Sequence, residues 1–333
     1  MIKIVLDAMG GDNAPQATCE GALLALRADK ELTIILAGDP KQIAPYINNA
    51  EDVKERLIVL DAPEVITNNE SPALAIRQKK DSAIVRGMLM VREGEADGFV
   101  SAGSTGAVLV GGMLRLGRIP GIERPALAPL LPGKKGHFLL IDCGANVDCK
   151  PEYLAQFGLM GDAFMEKTMG IARPRIGLVN NGAEEEKGNA LYTEAHQLLK
   201  KEDINFVGNV EARYIPADQA DVIVCDGFDG NIILKYTEGV AETLLGMIKQ
   251  ELMADTRSKI GALLAKPAFA RVKKLMDYTE VGGAPLLGVR GAVVKAHGSS
   301  NAKAIFGAIR QASLMIRSKV PEAIEQKLVK QSI

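Results

Sequence analysis

Short runs of consecutive apolar residues ending in Gly, Asp, Asn or Ser alternate along the chain with longer stretches whose apolar positions return at helical spacing. The runs occupy residues 2–6, 32–37, 57–60, 98–100, 138–141, 175–179, 221–225 and 292–295. Strand-like runs separated by helices predict an α/β fold built on a wide, mostly parallel, doubly wound sheet. The clearest helices are expected over 15–28, where a helix-permitted proline stands first, and over 105–116, after a glycine turn. Two more are expected over 230–253 and over 299–318, the last with Ser299, Ser300 and Asn301 as cap candidates. With no internal repeat or low-complexity linker, residues 1–333 read as one two-lobed catalytic domain.

One segment departs from this pattern. Residues 256–276 carry no acidic residue but six basic ones, Arg257, Lys259, Lys266, Arg271, Lys273 and Lys274. Apolar residues recur among them at helical spacing, and Pro267 is expected to break the stretch into a basic amphipathic hairpin at about 252–278. Leu263, Leu264, Phe269, Lys273 and Lys274 are the candidate contacts with an anionic membrane surface, at about 1 kcal/mol per basic residue. That strength predicts reversible, peripheral attachment of a cytoplasmic protein. A dimer mate or an acidic carrier protein would suit the same segment.

Elsewhere the composition is ordinary. Hydrophobic residues are 47% and charged residues 24% of 333, enough for a large packed core without long disorder. Forty basic residues against 41 acidic ones leave no broad positive surface, so nucleic acid is not an expected partner. Cys19, Cys143, Cys149 and Cys225 lack metal or redox spacing and fit reduced thiols. The first residues enter a strand with no leader pattern, and no run reaches the roughly 18 apolar residues of a membrane span.

In open α/β sheets ligands bind beyond the carboxyl ends of the strands. Here those ends carry clusters of glycine and small polar residues: 7–12, 101–106, 142–148, 186–189, 226–231 and 297–300. Residues Gly103, Ser104, Thr105 and Gly106 join a strand to a helix, so their N–H groups and the helix dipole suit an anion, phosphate above all. A tight turn with Ser104 as a cap would explain one such loop, but not six on one rim. Asp7, Gly10, Gly11, Asn146, Asp148, Asn189, Asp226 and Ser299 are the further substrate-binding candidates. His297 is placed to exchange a proton near neutral pH, with orientation of the Gly298-Ser299 turn as its alternative role. Lys187 and Asn231 are placed to stabilise negative charge. Asn146 and Asn231 could equally be turn residues. Asp7, Asp142, Asp148, Asp226 and Asp229 lack ligand spacing, so no metal is expected. Neither glycine-rich nucleotide fingerprint is present, which disfavours ATP and a Rossmann-bound dinucleotide; no cofactor is expected. Exchange of one activated acyl bond for another needs none.

Together, segments 7–12, 142–148, 186–189, 226–231, 281–288 and 295–300 resemble the PlsX family of phosphate acyltransferases, and the likeness runs through nearly the whole chain. The resemblance implies a three-layer α/β/α fold, similar to isocitrate and isopropylmalate dehydrogenases and to phosphotransacetylase, assembled as a homodimer. It implies transfer of a fatty acyl group from acyl carrier protein to inorganic phosphate for phospholipid synthesis, with a glycerol-3-phosphate acyltransferase as a possible downstream partner. Position 13 is Asn where relatives often carry His, and position 104 is Ser where Asn is common. Rival expectations are a coenzyme A-dependent phosphate acyltransferase, a dehydrogenase on the same fold, and a membrane-associated phosphate or lipid sensor.

Overall fold

A computed structural model describes residues 1–276 and 282–331, the side chains of 273–276, 330 and 331 excepted. The first lobe opens with β1 (Ile2–Asp7), α1 (Gln16–Ala28), β2 (Leu32–Gly38), α2 (Pro40–Ile47) and β3 (Leu57–Asp61). It continues through α3 (Pro72–Gln78), α4 (Ala83–Arg92), β4 (Gly98–Ser101) and α5 (Thr105–Gly111), which runs into a π turn (Gly112–Leu116). After β5 (Ala126–Leu127), which returns to the first sheet, come β6 (Leu130–Gly133), β7 (Gly136–Ile141), α6 (Pro151–Met169), β8 (Arg175–Asn180), α7 (Ala190–Leu199), β9 (Asn205–Glu211) and β10 (Val222–Val224). Then come α8 (Gly227–Leu252), α9 (Thr256–Met276), β11 (Ala284–Leu287), β12 (Ala292–Lys295), α10 (Ala302–Arg317) and α11 (Val320–Gln331).

All eight expected strands form, but the sheet is divided. One sheet has the order β3-β2-β1-β4-β12-β11-β5 and the other β6-β7-β10-β8-β9. Pairing is parallel except around β11 and between β6 and β7. The division falls at Ala128-Pro129. Ala128 still donates to Pro285 O (2.9 Å) across the first sheet, while Pro129, which has no N–H to give, only accepts from Leu140 N–H (3.0 Å) in the second. The extended segment 126–133 therefore belongs to both sheets.

Two apolar layers hold this double sheet. On one face Ile4, Leu6, Val100, Leu139 and Leu178 pack with α1, α6 and α10 through Leu26, Phe157 and Ile309. On the other face Val5, Phe99, Leu140 and Ile223 pack with α3, α4 and α5 through Ile76, Ile84 and Val108. Each layer spans both sheets, so the α/β/α sandwich is continuous.

The hairpin is formed by α8 and α9, and its bend differs from the one expected. Pro267 lies inside α9; the chain reverses at 253–255. There Asp255 caps α9, accepting from Ser258 N–H (2.9 Å) and Ser258 Oγ–H (2.7 Å). A cap that satisfies helix-end donors starts a helix more decisively than one internal proline on an exposed face ends it. Residues 277 and 278 of the expected hairpin lie outside the described residues. The helix expected over 299–318 begins at Ala302, with Asn301 rather than Ser299 as its cap.

Candidate active site

The carboxyl ends of β1, β4 and β12 form a first rim. Asp7, ending β1, is buried and accepts from Ser101 Oγ–H at 2.7 Å, while Ser101 Oγ accepts from Gly103 N–H at 3.0 Å. Burial lifts the Asp7 carboxyl above its ordinary range despite these donors. Gly10 rests so close to this pair that a Cβ would stand 2.7 Å from Gly103 N and collide with Asp7 Oδ2. Only glycine permits that approach. Residue 104 caps α5, its Oγ accepting from Ala107 N–H at 3.4 Å, so Gly103, Ser104, Thr105 and Gly106 lie where a strand becomes a helix N-terminus.

The third strand of this rim supplies His297. Its Nδ1 lies 2.8 Å from Ser299 Oγ, and Ser299 N–H also reaches Nδ1 at 3.3 Å. Asn13 donates to Ser299 O (3.2 Å) and Ser300 O (3.3 Å), and Asp12 N–H to Gly298 O (2.8 Å), which fastens loop 8–13 to loop 297–300. Both His297 and Ser299 are exposed.

A second rim is built at the ends of β7, β8 and β10. Its hub is Asp142, fully buried, whose carboxylate accepts from the N–H groups of Leu127 (2.9 Å), Ala145 (3.2 Å) and Asn146 (2.7 Å). Burial outweighs these donors and lifts its pKa to about 6. The side-chain amide of Asn146 donates to Asp142 (3.0 Å) and to Pro125 O (2.8 Å), so both its hydrogens are used inside the protein. Asp226 caps α8 through Asp229 N–H (2.8 Å), and Tyr192 Oη–H donates to Asp229 (2.6 Å) while accepting from Asp226 N–H (3.2 Å). Asn189 caps α7. Gly230 lies against the Asp142 carbonyl oxygen, where any Cβ would overlap it.

The structure gathers the sequence candidates into these two groups: Asp7, Gly10, Gly11, residues 103–106, His297 and Ser299 in the first, and Asn146, Asp148, Asn189, Asp226 and Asn231 in the second. Lys187 is exposed in the loop after β8, with its carbonyl held by Asn180 (3.0 Å); among the described residues it makes no ion pair with either group. Helix α8 links the two rims. Asn231 stands over Gly144, 3.7 Å from where a Cβ would lie, and Lys235, one turn further on, acts electrostatically on both Cys143 and Lys295. Lys295 and Tyr192 are given no site role by the sequence, Ser101 enters only within the 101–106 cluster, and Asp142 is weighed only as a metal ligand. The available signal was a lysine closing the apolar run Ala292–Lys295 immediately before the His297 loop.

None of the four free cysteines presents a ready nucleophile. Burial raises all four thiols, Cys19 to about 11 and Cys149 to about 12, and Cys143 and Cys225 well above their ordinary value. Of the hairpin candidates, Leu263 is 70% and Leu264 79% exposed, and Phe269 is exposed as well, so the chain by itself leaves this apolar surface uncovered. Lys273 and Lys274 lie in the last turns of α9, with side chains outside the described residues. No helix among the described residues is long and apolar enough to cross a membrane.

Residues 2–323 match a family model described as fatty acid synthesis protein. A phosphate acyltransferase from Clostridium novyi (strain NT) is 50% identical over 332 residues, covering 98% of this chain and 100% of that one. Among solved structures, a phosphotransacetylase from Streptococcus pyogenes aligns with a TM-score of 0.63 at 18% identity, covering 95% of this chain and 94% of its own. A 4-hydroxythreonine-4-phosphate dehydrogenase from Klebsiella pneumoniae aligns with a TM-score of 0.50 at 14% identity, covering 95% and 99%. At these identities the two structures share the fold.

Proposed function

The chain belongs to the phosphate acyltransferase family, the fatty acid synthesis proteins, and from that premise we propose that it moves a fatty acyl group from an acyl carrier protein thioester to inorganic phosphate. The observation that carries this reading is the first rim, where Ser104, Thr105 and Gly106 present backbone N–H groups at the start of α5, while Gly103 N–H is held by Ser101 Oγ and Gly10 lets the two loops pack closely.

In the proposed reaction, phosphate seated on residues 103–106 attacks the thioester carbonyl carbon directly. The new C–O bond forms through a tetrahedral oxyanion, the C–S bond breaks, and the carrier leaves as thiolate that takes up a proton. Asn231 from the second rim and Lys187 from the exposed loop after β8 are the groups assigned to the developing oxyanion. His297 accepts the phosphate proton or returns one to the thiolate, with Ser299 holding the ring through its contacts to Nδ1. The four raised thiols support transfer without an acyl-enzyme.

The acyl phosphate would enter phospholipid synthesis through a glycerol-3-phosphate acyltransferase. The exposed leucines of α9 and its basic residues support peripheral membrane contact, and the uncovered length of α8 supports a homodimer.

The deciding assay measures free carrier thiol released from long-chain acyl carrier protein, with and without phosphate, beside acyl coenzyme A as donor. Phosphate-dependent release from the carrier alone is expected. Equal release from coenzyme A would transfer the assignment to that donor, and none from either would overturn acyl transfer to phosphate. Full turnover by His297→Ala would remove the proton-transfer role.

A further inference from the structure

Lys295 ends β12 with a side chain that is only 8% exposed, yet it makes no ion pair among the described residues. Its Nζ donates instead to two backbone carbonyls, Ala102 O at 3.3 Å and Ala296 O. Those acceptors have a specific place. Ala102 immediately precedes loop 103–106, and Ala296 immediately precedes His297. One buried ammonium therefore ties the root of the anion loop to the root of the histidine loop.

Such a group is unfavourable for folding alone, because a buried charge held only by neutral acceptors loses more in hydration than it recovers. The run Ala292, Val293, Val294 shows that the position could have continued as an apolar strand. The charges that face the ammonium are Asp7 from β1, Asp12 from the loop after β1, and Lys235 from α8, with His297 two residues away on its own strand end. The carboxylates favour its charged form and Lys235 opposes it.

We propose that Lys295 is a positioning residue for phosphate: its charged ammonium fixes the spacing of loops 103–106 and 297–300 and adds positive potential beneath the anion seat. Burial brings its pKa down to about 8, so the device is intact at neutral pH and is lost as pH rises through that value. This inference rests on the acyl-transfer reading above.

The test uses the full chain and the thiol-release assay, following kcat and KM for phosphate from about pH 6.5 to about pH 9.5, with melting temperatures at each pH. Wild type, Lys295→Met and Lys295→Arg are compared. In wild type, KM for phosphate should rise above about pH 8 beyond the change due to phosphate ionisation, with kcat nearly constant. Lys295→Met should raise KM at neutral pH by about tenfold or more, remove the alkaline rise and leave the melting temperature at neutral pH equal to or above that of wild type. Lys295→Arg, which does not titrate in this range, should retain a KM within about threefold of wild type and also lack the rise. A Met variant with wild-type KM and an unchanged pH profile would overturn the proposal. Should that variant fail to fold, the Arg variant decides alone, and an alkaline rise identical to wild type would overturn it. Absence of phosphate-dependent release in wild type would instead sink the acyl-transfer reading, and this inference with it.

Discussion

Helices α10 and α8 are built from similar apolar residues, yet they end in opposite surroundings. In its 16 residues α10 buries nine against the sheet and its neighbours, whereas α8, with 26, buries only Gly227 and Gly230. Beyond its first turns α8 leaves Ile232, Tyr236, Val240, Leu244 and Met247 exposed, and α9 continues the surface with Ile260, Leu263 and Leu264. The contrast separates two uses of hydrophobicity. In α10 it holds the body together; in α8 the first turn completes the second rim, and the remainder offers an apolar surface outward.

The strongest way to break this contrast is at its junction. Gly230→Val would drive a branched side chain into the Asp142 carbonyl and the Cys225 sulfur, 2.8 Å from an ideal Cβ. The expected loss is about 4 kcal/mol or more, read as a lower urea midpoint. Next is Asp142→Ala, which strands the N–H groups of Leu127, Ala145 and Asn146 and should remove about 3 kcal/mol. Retention of wild-type stability would show that these donors find other partners.

Lys295 offers a test of sign. Its folded pKa of about 8 lies below its ordinary 10.5, so between these values the unfolded chain binds more protons than the folded one. Stability relative to Lys295→Met must then rise across that window, by about 3 kcal/mol, measured by urea titration at several pH values. A constant difference would mean that the buried ammonium does not titrate there.

The smallest effect belongs to the hairpin. Leu263→Asp with Leu264→Asp should leave the urea midpoint of the body within about 0.5 kcal/mol, because neither residue packs on it, while weakening flotation with anionic vesicles. A larger stability change would instead seat these leucines in a contact between subunits.

The eight apolar runs were legible because buried parallel strands need no alternation and their ends concentrate glycine and polar residues. The missed strands lack that mark. Segment 126–133 is interrupted by Pro129 and Pro132, β9 skips Val207 in its register with β8, and β11 is a short antiparallel piece containing Pro285. Division of the sheet depended on which neighbours Ala128 and Pro129 found, a tertiary matter. The rims were legible as loops of glycine, Asp and Asn, but their internal division of labour was not. Asn146 reads like a donor for substrate until Pro125 and Asp142 are seen to occupy its amide. Lys295 reads like the solvated end of a strand until its burial is known.

Segment 126–133 is also a kinematic element. A rotation of one sheet against the other would have to twist the backbone near Ala128-Pro129, where the two ladders exchange the chain. Leu127 is bound there from both directions, its N–H donating to Asp142 Oδ1 at 2.9 Å and its carbonyl accepting from Cys143 N–H at 2.9 Å. Any such rotation is therefore delivered first to Asp142, and through Asn146 O, which accepts from Gly227 N–H at 2.7 Å, to the start of α8. The junction of the two sheets and the setting of the second rim thus share one backbone segment.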